Sequence, residues 1–275
     1  MSCFISQKRK RFVVIKLMFL VMVAALLPLA TGNAVQAEAT VVTIMEIQGA
    51  GHISPYNGVT VTTTGVVTAI AFNGYYVQDP IGDDNPATSD GIFVFQFGNI
   101  PNIGDLVEVT DTVTEFIPGG AATGNLSTTQ MSFPAITVLS SGNPLPAPVI
   151  IGSSGRIAPA VDVITKSERP VNLQDLPGVF NPDDDGIDFY ESLEGMLVTV
   201  EDPVAVSATR TFSPFSSELF TLTNNGENMA PPDARTARGG INLQPDPDND
   251  GDQNPERVQI QFDPTISGGA PVPAI

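Results

Sequence analysis

The sequence has no tryptophan, one histidine, one cysteine and very little positive charge. Its 275 residues include 12 Lys and Arg against 30 Asp and Glu, which gives a formal net charge of −18. Not one Lys or Arg occurs between Glu38 and Gly155. Such an acidic chain repels polyanions. It therefore does not carry the basic surface that is typical of a nucleic-acid-binding domain.

The first 37 residues have the pattern of a secretory signal peptide. Five basic residues precede the apolar run Leu17–Ala30, and Val35-Gln36-Ala37 is a small-residue cleavage pattern. A membrane anchor is the alternative, but a span needs about 18–20 apolar residues and this run has 14. We therefore predict cleavage near Ala37, a secreted or cell-surface protein, and no membrane contact after cleavage.

Cleavage would remove the only cysteine, Cys3, so the mature chain would have no disulfide bond. Its stability must then come from core burial or from bound metal. Cleavage would also remove five of the 12 basic residues and no acidic one. Seven Lys and Arg would remain against 30 Asp and Glu, a formal charge of −23.

The composition predicts an all-β fold, because Gly, Pro and β-branched residues are abundant and long helical patterns are nearly absent. Predicted strands are 38–47, 59–71, 75–78, 92–97, 106–116, 126–133 and 135–139, then strands within 193–205, at 218–223 and at 258–262. Gly65 inside the long second strand indicates a bulge or sharp coil, and Asn73-Gly74 predicts a tight hairpin. One long coiled strand followed by shorter ones favours a closed Greek-key barrel of the OB type.

The predicted domain order follows from these strands. An OB-like barrel covers residues 38–140, and a Pro/Gly-rich linker with a short helix covers 141–176. A second β domain covers 177–275 and opens with an acidic loop at 177–190. Because no closing hairpin follows its last strand, and an open barrel leaves an unpaired edge, we expect this second domain to be incomplete.

Three stretches carry a resemblance to a known family. They are 46–95 (EIQGAGHISPYNG to GIFVF), 185–206 (DGIDFYESLEGMLVTVEDPVAV) and 235–260 (RTARGGI with NPERVQI). Together they resemble the non-catalytic N-terminal region of large secreted bacterial nucleases, in which OB-like modules precede a C-terminal endonuclease/exonuclease/phosphatase domain. The resemblance spans nearly all of the mature chain and implies a protein that acts on extracellular DNA or RNA.

The catalytic part of that family is not recognisable here. Its chemistry needs carboxylates that hold a divalent metal such as Mg²⁺ and a His/Asp pair, and the only histidine is His52. Gly82-Asp83-Asp84-Asn85 imitates a G-D-x-N motif, but it lies between prolines and has no S-D-H partner. We therefore expect no nuclease activity from this chain alone. For His52 a structural role is favoured over that of a ligand or base.

Two acidic stretches match the first half of a calcium loop, in which alternate carboxylates and a glycine at position six surround the cation. The predicted Ca²⁺ ligands are Asp246, Asp248, Asp250, Asp252 and Glu256 in one stretch and Asp183, Asp185, Asp188 and Glu191 in the other. The first stretch departs from the pattern at position twelve, which is Arg257. The alternative is a pair of solvated acidic turns, and the carboxylates of the second could instead bond to backbone.

Two groups of residues are candidate nucleic-acid contacts. Tyr75, Tyr76, Phe93 and Phe95 could stack bases, as exposed aromatic residues of OB barrels do. Strand alternation places Tyr75 and Tyr76 on opposite faces, so at least one is expected in the core. Arg235, Arg238 and Arg257 could hold phosphates if they converge, and the alternative is salt bridges to the many carboxylates.

Two functions of different classes follow. The leading one is the non-catalytic part of a secreted nuclease, which positions nucleic acid or serves as a scaffold, reaching DNA or RNA through a metal or a neighbouring domain. The alternative is a calcium-stabilised extracellular interaction module with no nucleic-acid role. The hypothesis that this chain is a complete enzyme has the least support from the sequence.

Overall fold

The computed structural model describes residues 39–164, 180–213, 216–228, 235–242 and 254–262. The strands in chain order are β1 (Thr40–Val41), β2 (Thr60–Ala71), β3 (Gly74–Gln78), β4 (Gly91–Phe95), β5 (Leu106–Phe116), β6 (Thr128–Ser132), β7 (Ala135–Ser140), β8 (Val149–Ile151), β9 (Val198–Val200), β10 (Val204–Ala205), β11 (Arg210–Ser213), β12 (Ser216–Leu222) and β13 (Val258–Phe262). The helices are α1 (Ile44–Gln48) and α2 (Gly186–Glu191), with 3-10 turns at Ala121–Thr123 and Asn224–Gly226. In these ranges no helix is long and apolar enough to cross a membrane.

Five strands close into a barrel. β2 pairs with β3, β3 with β4, β4 with β6, β6 with β5, and β5 returns to β2. Every pairing is antiparallel except β4 with β6, which is parallel. This order is that of a five-stranded OB barrel, so the predicted all-β class and OB-like barrel are confirmed. β7 lies outside the circuit, on β5.

The length of β2 allows it to close the barrel. Its first half, Thr60–Val66, pairs with β5, and its second half, Val66–Ala71, pairs with β3. The irregularity in the pairing lies between Val67 and Ala69, slightly beyond the predicted bulge at Gly65. Gly65 serves close packing instead, because a Cβ there would lie 2.7 Å from Cγ1 of Val77.

The predicted first strand, 38–47, is wrong for most of its length. Within the described part of this segment only Thr40–Val41 forms a strand, and Ile44–Gln48 forms helix α1. Thr43 and Glu46 make a capping box, in which the Thr43 hydroxyl accepts from the Glu46 N–H and the Glu46 carboxylate accepts from the Thr43 N–H. The helix then buries Ile44 and Ile47 in the barrel core. Local capping and core burial therefore prevail over the β-branched composition.

The second region begins earlier than predicted. β8 lies inside the predicted linker and pairs in parallel with β9. β10, β11 and β13 all pair with β12 to form a four-stranded sheet. The predicted acidic loop 177–190 contains the start of helix α2 at Gly186. Most of the helix predicted within 160–176 lies outside the described residues.

The barrel and the second region touch through backbone. A Cβ on Gly91 of β4 would lie 2.7 Å from the Met196 amide nitrogen and would overlap the Gly195 carbonyl group. Beside this contact the Leu197 N–H donates to Oε1 of Gln78 at 2.8 Å. Both regions belong to one compact unit, Glu38–Ile275.

Candidate functional site

Two parts of the described structure could carry function. One is the buried junction where His52 of the barrel meets helix α2 and the residues that follow it. The other is an aromatic cleft on the outer face of the barrel. They differ in charge, since the junction is rich in carboxylates and the cleft is lined by uncharged residues.

In the junction, His52 lies between two carboxylates of α2. Its Nε2 is 2.7 Å from Oδ1 of Asp188 and its Nδ1 is 3.2 Å from Oε2 of Glu191. The ring of Phe180 covers it edge-on at 5.4 Å. Burial lowers the pKa of His52, but the hydrogen bonds and charges of Asp188 and Glu191 outweigh burial and raise it to about 9. His52 is therefore a charged, structural histidine at neutral pH.

Two more carboxylates complete the junction. Oε1 of Glu194 accepts the Thr129 N–H at 2.9 Å. Oε1 of Glu115 accepts the Ser54 N–H and the Thr129 hydroxyl. Burial and then the charge of Glu191 raise the pKa of Glu194 to about 9. The buried carboxylates are thus accommodated in two ways: Glu194 is protonated, and Asp188 and Glu191 are paired with His52.

This arrangement bears on the predicted calcium loop at 181–191. Asp185 and Asp188 are buried, whereas Asp183 is exposed. One oxygen of Asp188 faces His52 and the other accepts the Asn181 N–H at 2.7 Å. Among the described residues no three His, Cys, Asp or Glu side chains are grouped as a metal site would require. Asp188 and Glu191 form ion pairs with His52, and the calcium prediction at 181–191 stays a prediction.

The other predicted calcium loop is described only at its end. Asp246, Asp248, Asp250 and Asp252 lie outside the described residues. Glu256 is described and is fully buried. The calcium prediction at 246–256 stays a prediction.

The aromatic cleft encloses about 430 Å³ on strands β3, β4 and β6 and the end of β5. Tyr76 and Phe93 lie together in its wall, with ring centroids 5.0 Å apart. Phe95 also lines it and meets Phe133 edge-on at 5.3 Å. Tyr75 was predicted beside them, but it is fully buried in the barrel core and cannot contact a ligand. Alternation along β3 therefore separates the two tyrosines as expected.

Sequence reasoning missed several cleft residues. Phe116 and Phe133 line the cleft and are 52% and 59% exposed. Phe97 and Phe72 extend the aromatic surface, with Phe72 76% exposed. The alternation of Phe95 and Phe97 was a usable signal, whereas Phe72 and Phe133 lie at strand ends where alternation says nothing.

The predicted phosphate-binding arginines have separate local roles. Arg235 donates to the carbonyl oxygens of Asn225 and Gly239. Arg257 stacks on Phe220 at 5.0 Å and donates to the Asn254 carbonyl oxygen. Arg238 is exposed. A residue that the sequence did not single out, Arg210, is also exposed and lies 4.5 Å over the Phe212 ring.

Comparison with family models identifies a match to part of the chain. A family model described as a domain of unknown function, DUF8508, matches residues 150–274. The match begins within β8, so it covers the second region and leaves out the barrel. No curated protein matches the chain.

Proposed function

We propose that this chain is the non-catalytic accessory region of a secreted nuclease, and that its second region contacts nucleic acid through exposed arginines. The observation that carries the proposal is the position of the arginines and lysines along the chain. All seven Lys and Arg after the signal segment lie at Arg156 or beyond, and residues 38–155 contain none. Among the residues after the signal segment, only the second region therefore offers guanidinium groups that can pair with a phosphate.

Arg210 and Arg238 are the contacts that we propose. Both are exposed, and the Phe212 ring under Arg210 is 54% exposed as well. A guanidinium beside an exposed ring can bind a phosphate while the ring stacks on a base. Arg235 and Arg257 are less suited, because they already donate to backbone carbonyl groups of their own region.

The non-catalytic role is supported by the state of the only histidine. Both ring nitrogens of His52 face carboxylates and its side chain is 5% exposed, so it cannot take a proton from a substrate. The resemblance of residues 46–95, 185–206 and 235–260 to nuclease accessory regions supplies the rest of the argument.

The test is binding of fluorescein-labelled oligothymidylate, measured by anisotropy between about 50 and about 200 mM NaCl. We expect weak binding at the lower salt. The double variant Arg210→Gln, Arg238→Gln should lower the salt slope by about 1.4, since each phosphate contact on a single strand contributes about 0.7. The chain alone should release no nucleotides from the probe in the presence of Mg²⁺.

A charge-matched control separates local contacts from net charge. Thr137→Glu with Leu139→Glu also makes the chain more negative by two charges, but on the exposed strand β7 of the barrel. It should leave the affinity nearly unchanged. Absence of binding at about 50 mM NaCl, or equal effects of the two double variants, would refute the proposed contacts.

A further inference from the structure

The aromatic cleft of the barrel is not used by the proposed nucleic-acid contacts, and its chemistry points elsewhere. Its volume of about 430 Å³ is that of a small-molecule site. Ten described residues line it, and none of them is charged. Rings alternate with short polar side chains, among them Asn73, Thr128, Gln130 and Ser132.

The backbone at one edge of the cleft is strained. Phe133 has φ of 57°, a left-handed conformation that a bulky residue rarely adopts. Its N–H donates to the Phe95 carbonyl oxygen at 2.9 Å, which fixes the ring above the cleft while leaving it 59% exposed. The ring packs edge-on against Phe95 and still presents an exposed face, and conformational strain of this kind concentrates at ligand sites.

The surroundings of the cleft disfavour an anionic ligand. A nucleotide chain brings one negative charge for each base, and the segment 39–148 has no Lys or Arg to meet it. The Asp111 carboxylate accepts the N–H of Ser132, a residue that lines the cleft, at 2.8 Å. Its negative charge would repel a phosphate.

We propose that this cleft binds an uncharged oligosaccharide. A neutral sugar presents apolar C–H faces that pack on aromatic rings and hydroxyl groups that bond to amide and hydroxyl side chains. Tyr76, Phe95, Phe116 and Phe133 supply the rings, and Gln130 and Asn73 supply the amides. The barrel then attaches the secreted chain to a neutral glycan, independently of any nucleic acid bound by the second region.

The experiment is isothermal titration calorimetry of the full chain with four neutral hexasaccharides: cellohexaose, laminarihexaose, maltohexaose and N-acetylchitohexaose. We expect at least one to bind with Kd between roughly 10 µM and 1 mM, the range of a small exposed site. Because no charge is involved, Kd should change less than about twofold between about 50 and about 200 mM NaCl. Hexagalacturonate, which has a similar ring but carries carboxylates, should not bind.

Variants assign the binding to the cleft. Phe133→Ala and Phe116→Ala remove exposed rings, so folding should persist, and each should weaken binding about tenfold or more. Ile157→Ala removes an apolar side chain that is 56% exposed in the second region, and should leave Kd unchanged. Thermal melting of each variant checks that the fold is intact.

The proposal is overturned if no neutral hexasaccharide binds, if hexagalacturonate binds as well as the best neutral one, or if the cleft variants bind like Ile157→Ala. Failure of oligothymidylate binding alone would refute the nucleic-acid contacts of Arg210 and Arg238 and leave the glycan site standing. The two proposals are therefore tested separately.

Discussion

At the scale of single residues, His52 links stability to pH. Its pKa is raised from 6.5 to about 9 in the folded chain, so the folded state holds this proton more tightly than the unfolded state. The stabilisation is fully present below pH 6.5 and is lost as the pH rises through about 9. Glu194 has the same sign, because its pKa is raised from 4.5 to about 9. Both groups therefore make the fold less stable in alkali.

Replacing His52 should reveal this linkage. At pH 6.5, His52→Asn should lower the free energy of unfolding by about 3 kcal/mol, because it leaves Asp188 and Glu191 buried without their cation. The variant should also lose part of the pH dependence between pH 6.5 and about 9. Chemical denaturation across this range measures both effects.

Glu194→Gln is the matched variant. The glutamine keeps an oxygen that can accept the Thr129 N–H, but its side chain cannot ionise. We therefore expect near wild-type stability at low pH and a smaller loss of unfolding free energy in alkali. A wild-type unfolding free energy that stays constant up to about pH 9 would contradict the assignment of both groups.

At the scale of elements, strands were predictable and short helices were not. β5 alternates along much of its 11 residues, and β2 is a run of 12 residues rich in Thr and Val, so sequence alone indicates both strands. Helices α1 and α2 have five and six residues, too few to show a helical period. The Thr43–Glu46 capping box at the start of α1 was visible in the sequence. The β-branched composition of the segment nevertheless led to the prediction of a strand. Asp188 of α2 contacts His52, which lies 136 residues earlier in the chain. No local pattern in the sequence indicates such a contact.

The backbone contact between β4 and the turn after α2 depends on two glycines. Gly91→Ala should lower the free energy of unfolding by about 3 kcal/mol, because the new methyl group meets the Gly195 carbonyl group and the Met196 amide with no room to move. Thermal or chemical denaturation measures the loss.

Gly51→Ala is a suitable comparison, since its Cβ would meet nothing within 4 Å. It should change the free energy of unfolding by no more than about 0.5 kcal/mol. Equal stabilities of the two variants would show that β4 and the Gly195 turn are not in contact.

At the scale of the whole molecule, acidity limits what the chain can bind. The formal charge of −18, from 12 basic against 30 acidic residues, was available from the sequence and already argued against a basic nucleic-acid surface. Tyr76 and Phe93 were predicted as ligand contacts, and both line the cleft. The cleft itself could not be predicted, because Phe116 and Phe133 reach it only after β5 and β6 pair. Tertiary pairing, which no single strand encodes, assembles it.

Acidity also favours cations, and the loop 246–256 remains our candidate calcium site. With Ca²⁺ at about 100 times its Kd, a single site would add about 2.7 kcal/mol to the free energy of unfolding. The melting midpoint should therefore rise on adding Ca²⁺ and return with a chelator.

Mg²⁺ at the same concentration controls for screening of the net charge, and Asp248→Asn with Asp250→Asn should remove the Ca²⁺-specific part. Equal effects of Ca²⁺ and Mg²⁺ on the wild type would leave only screening and would exclude a calcium site at 246–256.

The pairing of His52 with α2 has a consequence for biogenesis. A chain that emerges N-terminus first presents His52 well before Asp188, which lies 136 residues later. The barrel strands through Ser132 can pair beforehand, but His52 stays without its carboxylates and the Gly91 backbone without its cover. We expect folding during synthesis in two stages, a closed barrel followed by docking of α2. Folding quality control would then act on the intermediate in which the barrel is closed and α2 is not yet docked.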